Sequence, residues 1–136
     1  MITANQAQAD IMAAVHGAIF PDEPWDLASF ASLLAQPGVF GCLDERGGLL
    51  LLRVVADEAE IITIGAVTKR RGIGRALLQV GLAQARSQGA EKVHLEVAAG
   101  NAPARRLYEA FGFQQAGLRR QYYANGEDAV VMSLTL

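Results

Sequence analysis

The chain of 136 residues contains a single cysteine, Cys42. An internal disulfide is therefore excluded, and a reducing, cytoplasmic setting is the expectation. Charge of one sign is lacking as well. Twelve Lys and Arg stand against 14 Asp and Glu, for a net charge of −2, so there is no bulk attraction to nucleic acid or to an anionic membrane. Long apolar runs are absent, and none approaches the roughly 20 residues of a membrane-spanning helix. The first ten residues, MITANQAQAD, lack the basic-then-apolar pattern of a signal peptide. Repeats and low-complexity linkers are missing too. The two histidines, His16 and His94, have no partners at metal-ligand spacing, so no metal is expected. Cys42 has no histidine near it in an apolar run, which suits a small core residue better than a nucleophile.

What is present is enough apolar material for a core. Half the residues are apolar, at 51%, and the length fits one domain over residues 1–136. Helical spacing of Ile11, Met12, Val15 and Ile19 predicts a helix over about 5–19. The stretch FPDEPW breaks it, and Asp26 is placed to cap a second helix with Leu27, Phe30, Leu33 and Leu34 inward. VFGCL and LLLLRVV read as strands around a DERGG turn, and EAEIITIGAV as a third strand covered on both faces. A third helix is predicted over about Gly74–Gln88, with Gly89 just past its end. KVHLEV is the next strand. Asn101 can cap a fourth helix that carries Pro103 in its first turn. GFQQAGLRRQYY and DAVVMSLTL are the last two strands, with Asn125-Gly126 as a hairpin signal. The fold class is α/β (α+β): a mixed sheet flanked by helices.

Between the third strand and third helix lies TKRRGIGRALLQ, residues 68–79. The first N–H groups of a helix lack internal partners, and the helix dipole makes that end positive. Gly72 and Gly74 allow close backbone approach, and Arg70, Arg71 and Arg75 add charge. Together they describe a site for phosphate or pyrophosphate. The stretch has no Gly-Lys-Ser/Thr, so it is not a P-loop, and it lacks the third glycine of a dinucleotide fingerprint. Taken alone, the pair also suits a glycine-softened helix start with solvated arginines.

A second stretch, LEVAAGNAPARRLYEAFGF over residues 95–113, follows the next strand. With it, the chain resembles the GNAT acyltransferase superfamily, and within that the bacterial ribosomal-protein-alanine N-acetyltransferases of RimI type. KRRGIG resembles the family's acetyl-CoA pyrophosphate loop. LEV, Asn101 and LYEAFGF resemble its second signature, LRRQYYANGEDAVVM its carboxy-terminal hairpin, and DEAEIITI its central strand. The match is good over the last two-thirds of the chain and loose over the first third. The resemblance implies a sheet of six to seven strands with about four helices, and acetyl transfer from acetyl-CoA to an amine, here a protein amino terminus, with a ribosomal protein beginning in alanine as the expected partner. It implies a monomer or weak dimer.

The residue roles follow position by position. In KVHLEV, Val93, Leu95 and Val97 face one way and His94 and Glu96 the other. A carboxylate in an interior strand is costly unless solvated or paired. Glu96 is thus either a structural residue bonded to backbone or arginine or, as the resemblance implies, the proton acceptor in a cleft. Glu60 on the neighbouring strand is the rival base, or a substrate-binding residue. Tyr108 lies seven residues after Asn101 on one helix face. The resemblance makes it the proton donor to the leaving thiolate; a core tyrosine is the other reading. Asn101 can cap its helix and bond the pantetheine arm. The resemblance assigns the pantetheine and the thioester carbonyl to the backbone of Ile64, Gly65 and Ala66, and the pyrophosphate to Arg70, Arg71, Gly72, Ile73, Gly74 and Arg75. The segment from Thr63 to Gly72 is a couple of residues shorter than the family spacing and lacks its usual proline, which predicts a tighter loop. Tyr122 and Tyr123 fall where the family lines its substrate, and are otherwise tyrosines on a half-exposed strand. Trp25 is a groove wall or a buried anchor. Arg119 and Arg120 are expected to be solvated or paired with Glu127 or Asp128. Rival functions are transfer to a small amine or lysine side chain, an acyl-CoA-binding module without turnover, and, more distantly, a dinucleotide-binding domain.

Overall fold

Leu49, Leu50, Leu51 and Leu52 are all fully buried, although neighbouring side chains of a strand point to opposite faces. Both faces of their sheet must therefore be covered. In the computed structural model, which describes residues 1–69 and 71–136, this strand is β3 (Gly48–Val55). It lies within one sheet with β1 (Ile2–Ala4), β2 (Val39–Asp44), β4 (Glu58–Ala66), β5 (Lys92–Ala98), β6 (Gln114–Arg119) and β7 (Ala129–Thr135). The seven strands run in the order β1-β2-β3-β4-β5-β7-β6. Leu49 and Leu51 pack with Met12 and Phe30 of α1 (Ala9–Ile19) and α2 (Leu27–Ala35). Leu50 and Leu52 pack on the other face with Ile73, Leu77, Leu78 and Tyr108 of α3 (Ile73–Ser87) and α4 (Ala102–Ala110). Each buried leucine contributes about 2 kcal/mol, so this strand is the spine of both half-cores. The arrangement is the mixed sheet with helices on both faces expected from the sequence.

Local chemistry sets the element ends. The Asp26 side chain accepts the Ser29 N–H at 2.8 Å and starts α2. Asn101 Oδ1 accepts the Ala104 N–H at 3.3 Å and starts α4. Past the end of α3, Gly89 has φ +98°, a left-handed angle that suits glycine. Several expectations need correction. β1 was not foreseen, because three residues carry no readable alternation. Residues 6–8 form a 3₁₀ turn, with Asn5 and Gln8 capping each other reciprocally, so α1 begins late. Ile11 and Leu27 are about half exposed; Leu27 opens its helix, where fewer neighbours reach it. β6 ends at Arg119, so Tyr122 and Tyr123 lie in a loop rather than on a strand. The loop leaves the ladder because Asp128 takes the Gln121 N–H at 2.8 Å and Glu127 reaches across to the Gly100 N–H at 2.8 Å.

Two irregularities of β4 shape the site. Its antiparallel register with β3 passes from Ile61 opposite Leu52 to Thr63 opposite Leu51, so Ile62 is the extra residue of a β-bulge, which bends and twists a strand. Its parallel pairing with β5 stops at Glu60 opposite His94, while both strands run on to Ala66 and Ala98. The sheet is split from there onward. The second half of β4, expected to be covered on both faces, is only partly buried from Ile62 to Ala66, because it forms one wall of the split.

Candidate active site

The split opens into a cavity of about 330 Å³. Ile64 of β4, Glu96 of β5, Asn101 and Tyr108 of α4, and Trp25 and Tyr123 all line it. Six of the residues singled out in the sequence thus meet in one place, although they come from five separate parts of the chain. A second groove of about 630 Å³ adjoins it, sharing Phe20, Glu23, Ala98 and Tyr123.

Each polar group has a defined setting. Glu96 alternates with buried Val93, Leu95 and Val97 on β5, as read from the sequence, and so faces the cleft. Its Oε1 lies 3.0 Å from Nε of Arg119. Arg119 was expected to be solvated or paired with Glu127 or Asp128; its side chain is 57% exposed, but its ion-pair partner is Glu96, and the carboxylates of Glu127 and Asp128 instead bind loop N–H groups. Tyr108 is buried and meets Phe113 edge-on at 5.9 Å. Burial, and secondarily the Tyr123 phenol, push its pKa up to about 12, so the hydroxyl keeps its proton at neutral pH. Burial also raises Tyr123, with the Glu96 charge adding to the effect. Glu60 stands apart from the cavity. It faces His94 at the closed end of the split, and Arg53 binds it at 3.1 Å.

His16, Phe20 and Glu23 also line the cavity, and no motif pointed to them. His16 is 2% exposed and stacks on Trp25 at 4.7 Å with an interplanar angle of 21°. Its Nδ1 accepts the Trp25 N–H at 3.2 Å, so in the neutral ring the proton sits on Nε2. Burial lowers its pKa and favours that neutral form. Trp25 is therefore both groove wall and anchor. The end of α1 lies so close to β4 that a Cβ at Gly65 would meet Ile19 Cγ2 at 2.8 Å and force it aside.

The glycine pair stands at the head of α3, beyond the far end of β4. Gly72 is the N-cap with φ +72° and no side-chain cap, and a Cβ there would meet nothing within 4 Å. Gly74 has another function. A Cβ there would meet Leu107 Cδ2 at 3.1 Å, so it lets α3 approach α4. Ile73 is 1% exposed, which leaves only its backbone for a ligand. Arg75 stacks on Phe111 at 5.7 Å, and Arg71 is exposed. Arg70 lies outside the described residues. The loop is braced by a residue that sequence reasoning missed. Asp44 grips Arg46 through Nε at 2.9 Å and Nη2 at 2.8 Å, and Arg46 Nη1 donates to the Arg71 carbonyl at 3.1 Å. Among the described residues, no cluster of His, Cys, Asp or Glu could hold a metal ion.

A carboxylate and a protonated phenol lining one cavity form the layout of an enzyme that moves protons. The chain belongs to the acetyltransferase (GNAT) family, whose model matches residues 18–113. It is similar to the ribosomal protein bS18-alanine N-acetyltransferase of Escherichia coli, 36% identical over 121 residues that cover 83% of this chain and 82% of that protein. It is also similar to the N-alpha-acetyltransferase RimI of Mycobacterium tuberculosis, 40% identical over 122 residues that cover 82% and 75% of the two chains. Among solved structures, the ribosomal-protein-S18-alanine N-acetyltransferase from Escherichia coli superposes with a TM-score of 0.85 at 30% identity, covering 98% of this chain and 92% of that one.

Proposed function

We propose that the protein transfers an acetyl group from acetyl-CoA to the α-amino group of a protein, its substrate being the amino-terminal alanine of a ribosomal protein of the bS18 kind. The observation that carries the reading is that Glu96 and Tyr108 line one cavity where β4 and β5 part. The substrate is supported by the names of the relatives at 36% identity. We take residues 1–136 as a single catalytic domain that works in the cytoplasm as a monomer or weak dimer, without a metal.

The start of α3 suits a pyrophosphate. It has no side-chain cap and no acidic residue in its first turn, and its Gly72 backbone is open on the Cβ side, so N–H groups and helix dipole are available to an anion. The backbone at Gly72, Ile73 and Gly74 with Arg71 and Arg75 would hold the pyrophosphate, and the backbone of Ile64, Gly65 and Ala66 with Asn101 the pantetheine arm. Acetyl-CoA supplies the acetyl group as a thioester. Glu96 takes the proton from the amine, directly or through water; an α-ammonium with a pKa near ~8 asks little of a base. A backbone N–H of β4 around Gly65 and Ala66, on the edge turned away from β3, stabilises charge on the carbonyl oxygen. Tyr108 holds its proton toward the departing sulfur. A thiol titrates near ~8.5 in water, well below Tyr108, but the burial that raises the phenol also disfavours a thiolate, which narrows the gap. Transfer is direct, since no activated nucleophile stands in the cavity. Trp25, Tyr122 and Tyr123 shape the entry for the substrate's first residues.

Glu96→Gln tests this. kcat/KM should fall about a hundredfold or more, with acetyl-CoA affinity held within about twofold by calorimetry. A rate near wild type would move the base to Glu60 or to water.

A further inference from the structure

Arg119 reaches Glu96 because of a second bulge. β6 pairs with β7 as Gln115 opposite Met132, then Gly117 opposite Val131, which leaves Ala116 as the extra residue. Side chains alternate along a strand, so one inserted residue exchanges the two faces for everything after it. Val131 is in turn opposite Glu96, and Ala129 lies opposite both Ala98 and Arg119. Gly117 and Arg119 therefore share the Glu96 face, where without Ala116 they would point away. Gly117 puts no side chain on this face beside Val131, where a Cβ would lie 3.7 Å from Val131 Cβ, and Arg119 sets its Nε 3.0 Å from Glu96 Oε1. The guanidinium also covers the Tyr122 ring at 5.4 Å, and Tyr122 meets Tyr123 edge-on at 5.2 Å. Tyr123 is a wall of the cavity.

We propose that Arg119 is a positioning residue for the reaction, holding the Glu96 carboxylate in a fixed orientation and tying it to the tyrosine loop that receives the substrate. The inference rests on the reading of Glu96 as the base. One carboxylate oxygen is spent on the arginine, and among the described residues the other has no ion-pair or hydrogen-bond partner, which leaves it for an amine or a water. The other titratable groups around Glu96 do not compete for this role. His94 shares its strand face, and Glu60 beyond it is committed to Arg53. His16, Glu23, Tyr108 and Tyr123 share the cavity, but the tyrosines are neutral at working pH and His16 is buried in its neutral form. Among the described residues, Arg119 is the permanent cation within contact of the carboxylate.

The test compares Arg119→Gln, Arg119→Lys, Glu96→Gln and the Arg119→Gln/Glu96→Gln double variant, with kcat and the KM for acetyl-CoA measured separately for each. Arg119 has a side chain 57% exposed, so its variants should keep the wild-type melting temperature. The carboxylate that Arg119 orients acts in the chemical step, so Arg119→Gln should lower kcat about tenfold and leave the KM for acetyl-CoA within about twofold. Arg119→Lys should restore most of kcat, and Arg119→Gln should add no further loss in the Glu96→Gln background. An unchanged kcat, or an equal loss in both backgrounds, would overturn the role of Arg119 alone. Full activity of Glu96→Gln would overturn the base, and the inference with it.

Discussion

Tyr108 shows how burial alone can fix a side chain's chemical role. A phenol raised to about 12 stays protonated across the range in which an enzyme is normally assayed, so it can donate a hydrogen bond but does not appear in a pH profile. Tyr108→Phe should lower kcat by about tenfold to a hundredfold and leave the shape of the kcat/KM profile below pH 10 unchanged. A basic limb that disappears with the hydroxyl would show Tyr108 titrating in that range and acting otherwise. His16 makes the opposite case, a base that burial keeps neutral. Its pKa is lowered in the folded state, so the unfolded chain binds the proton more readily, and stability falls as pH drops below about 6.5. Protonation also removes the Nδ1 lone pair that accepts the Trp25 N–H. The melting temperature should fall between pH 7 and pH 5, and less steeply in His16→Gln, as followed by circular dichroism. Equal slopes would mean that His16 contributes nothing to the acid sensitivity. Neither the histidine nor Arg119 was legible beforehand, because each matters through a partner far away in sequence. Glu96 was, because strand alternation places it opposite Val93, Leu95 and Val97 with no knowledge of the fold.

At the scale of the element, the head of α3 separates two uses of glycine that the sequence presents as one. Gly72 is needed for its backbone angle and Gly74 for its missing side chain. In Gly72→Ala, a left-handed alanine costs about 1–2 kcal/mol, so the protein should melt a few degrees lower and bind acetyl-CoA more weakly. Gly72→Asn should be milder, since asparagine tolerates that region better. If Gly72→Ala bound acetyl-CoA with wild-type affinity, the head of α3 would not be the anion site. Helices were the readable elements, since caps such as Asp26 and Asn101 and the 3.6-residue period are written locally. Their exposed first turns were not, as Leu27 shows. Strand ends were the least readable. β6 stops before the tyrosines because Glu127 and Asp128 bond loop N–H groups, and nothing in QYYANGED announces that choice.

For the whole molecule, the site exists because the sheet fails to close. β4 and β5 pair over a short stretch and then diverge, the Ile62 bulge bends one wall, and His16 of α1, Tyr108 of α4 and Trp25 from the segment between α1 and α2 line the gap. The sequence supplied the residues of this cleft and the resemblance supplied its use. The strand order that sets β7 between β5 and β6, and so brings Arg119 within reach of Glu96, depends on long-range pairing that no local pattern encodes. The central claim is transfer of acetyl to an α-amino group within this cleft. It is tested most directly by mass spectrometry of a peptide that begins with alanine and carries one internal lysine, incubated with acetyl-CoA and either the wild-type protein or Glu96→Gln. The account predicts one acetyl group, on the terminal amine, with the wild type, and at least a hundredfold less product at equal time with the variant. Acetyl on the lysine, or equal product from both proteins, would contradict it.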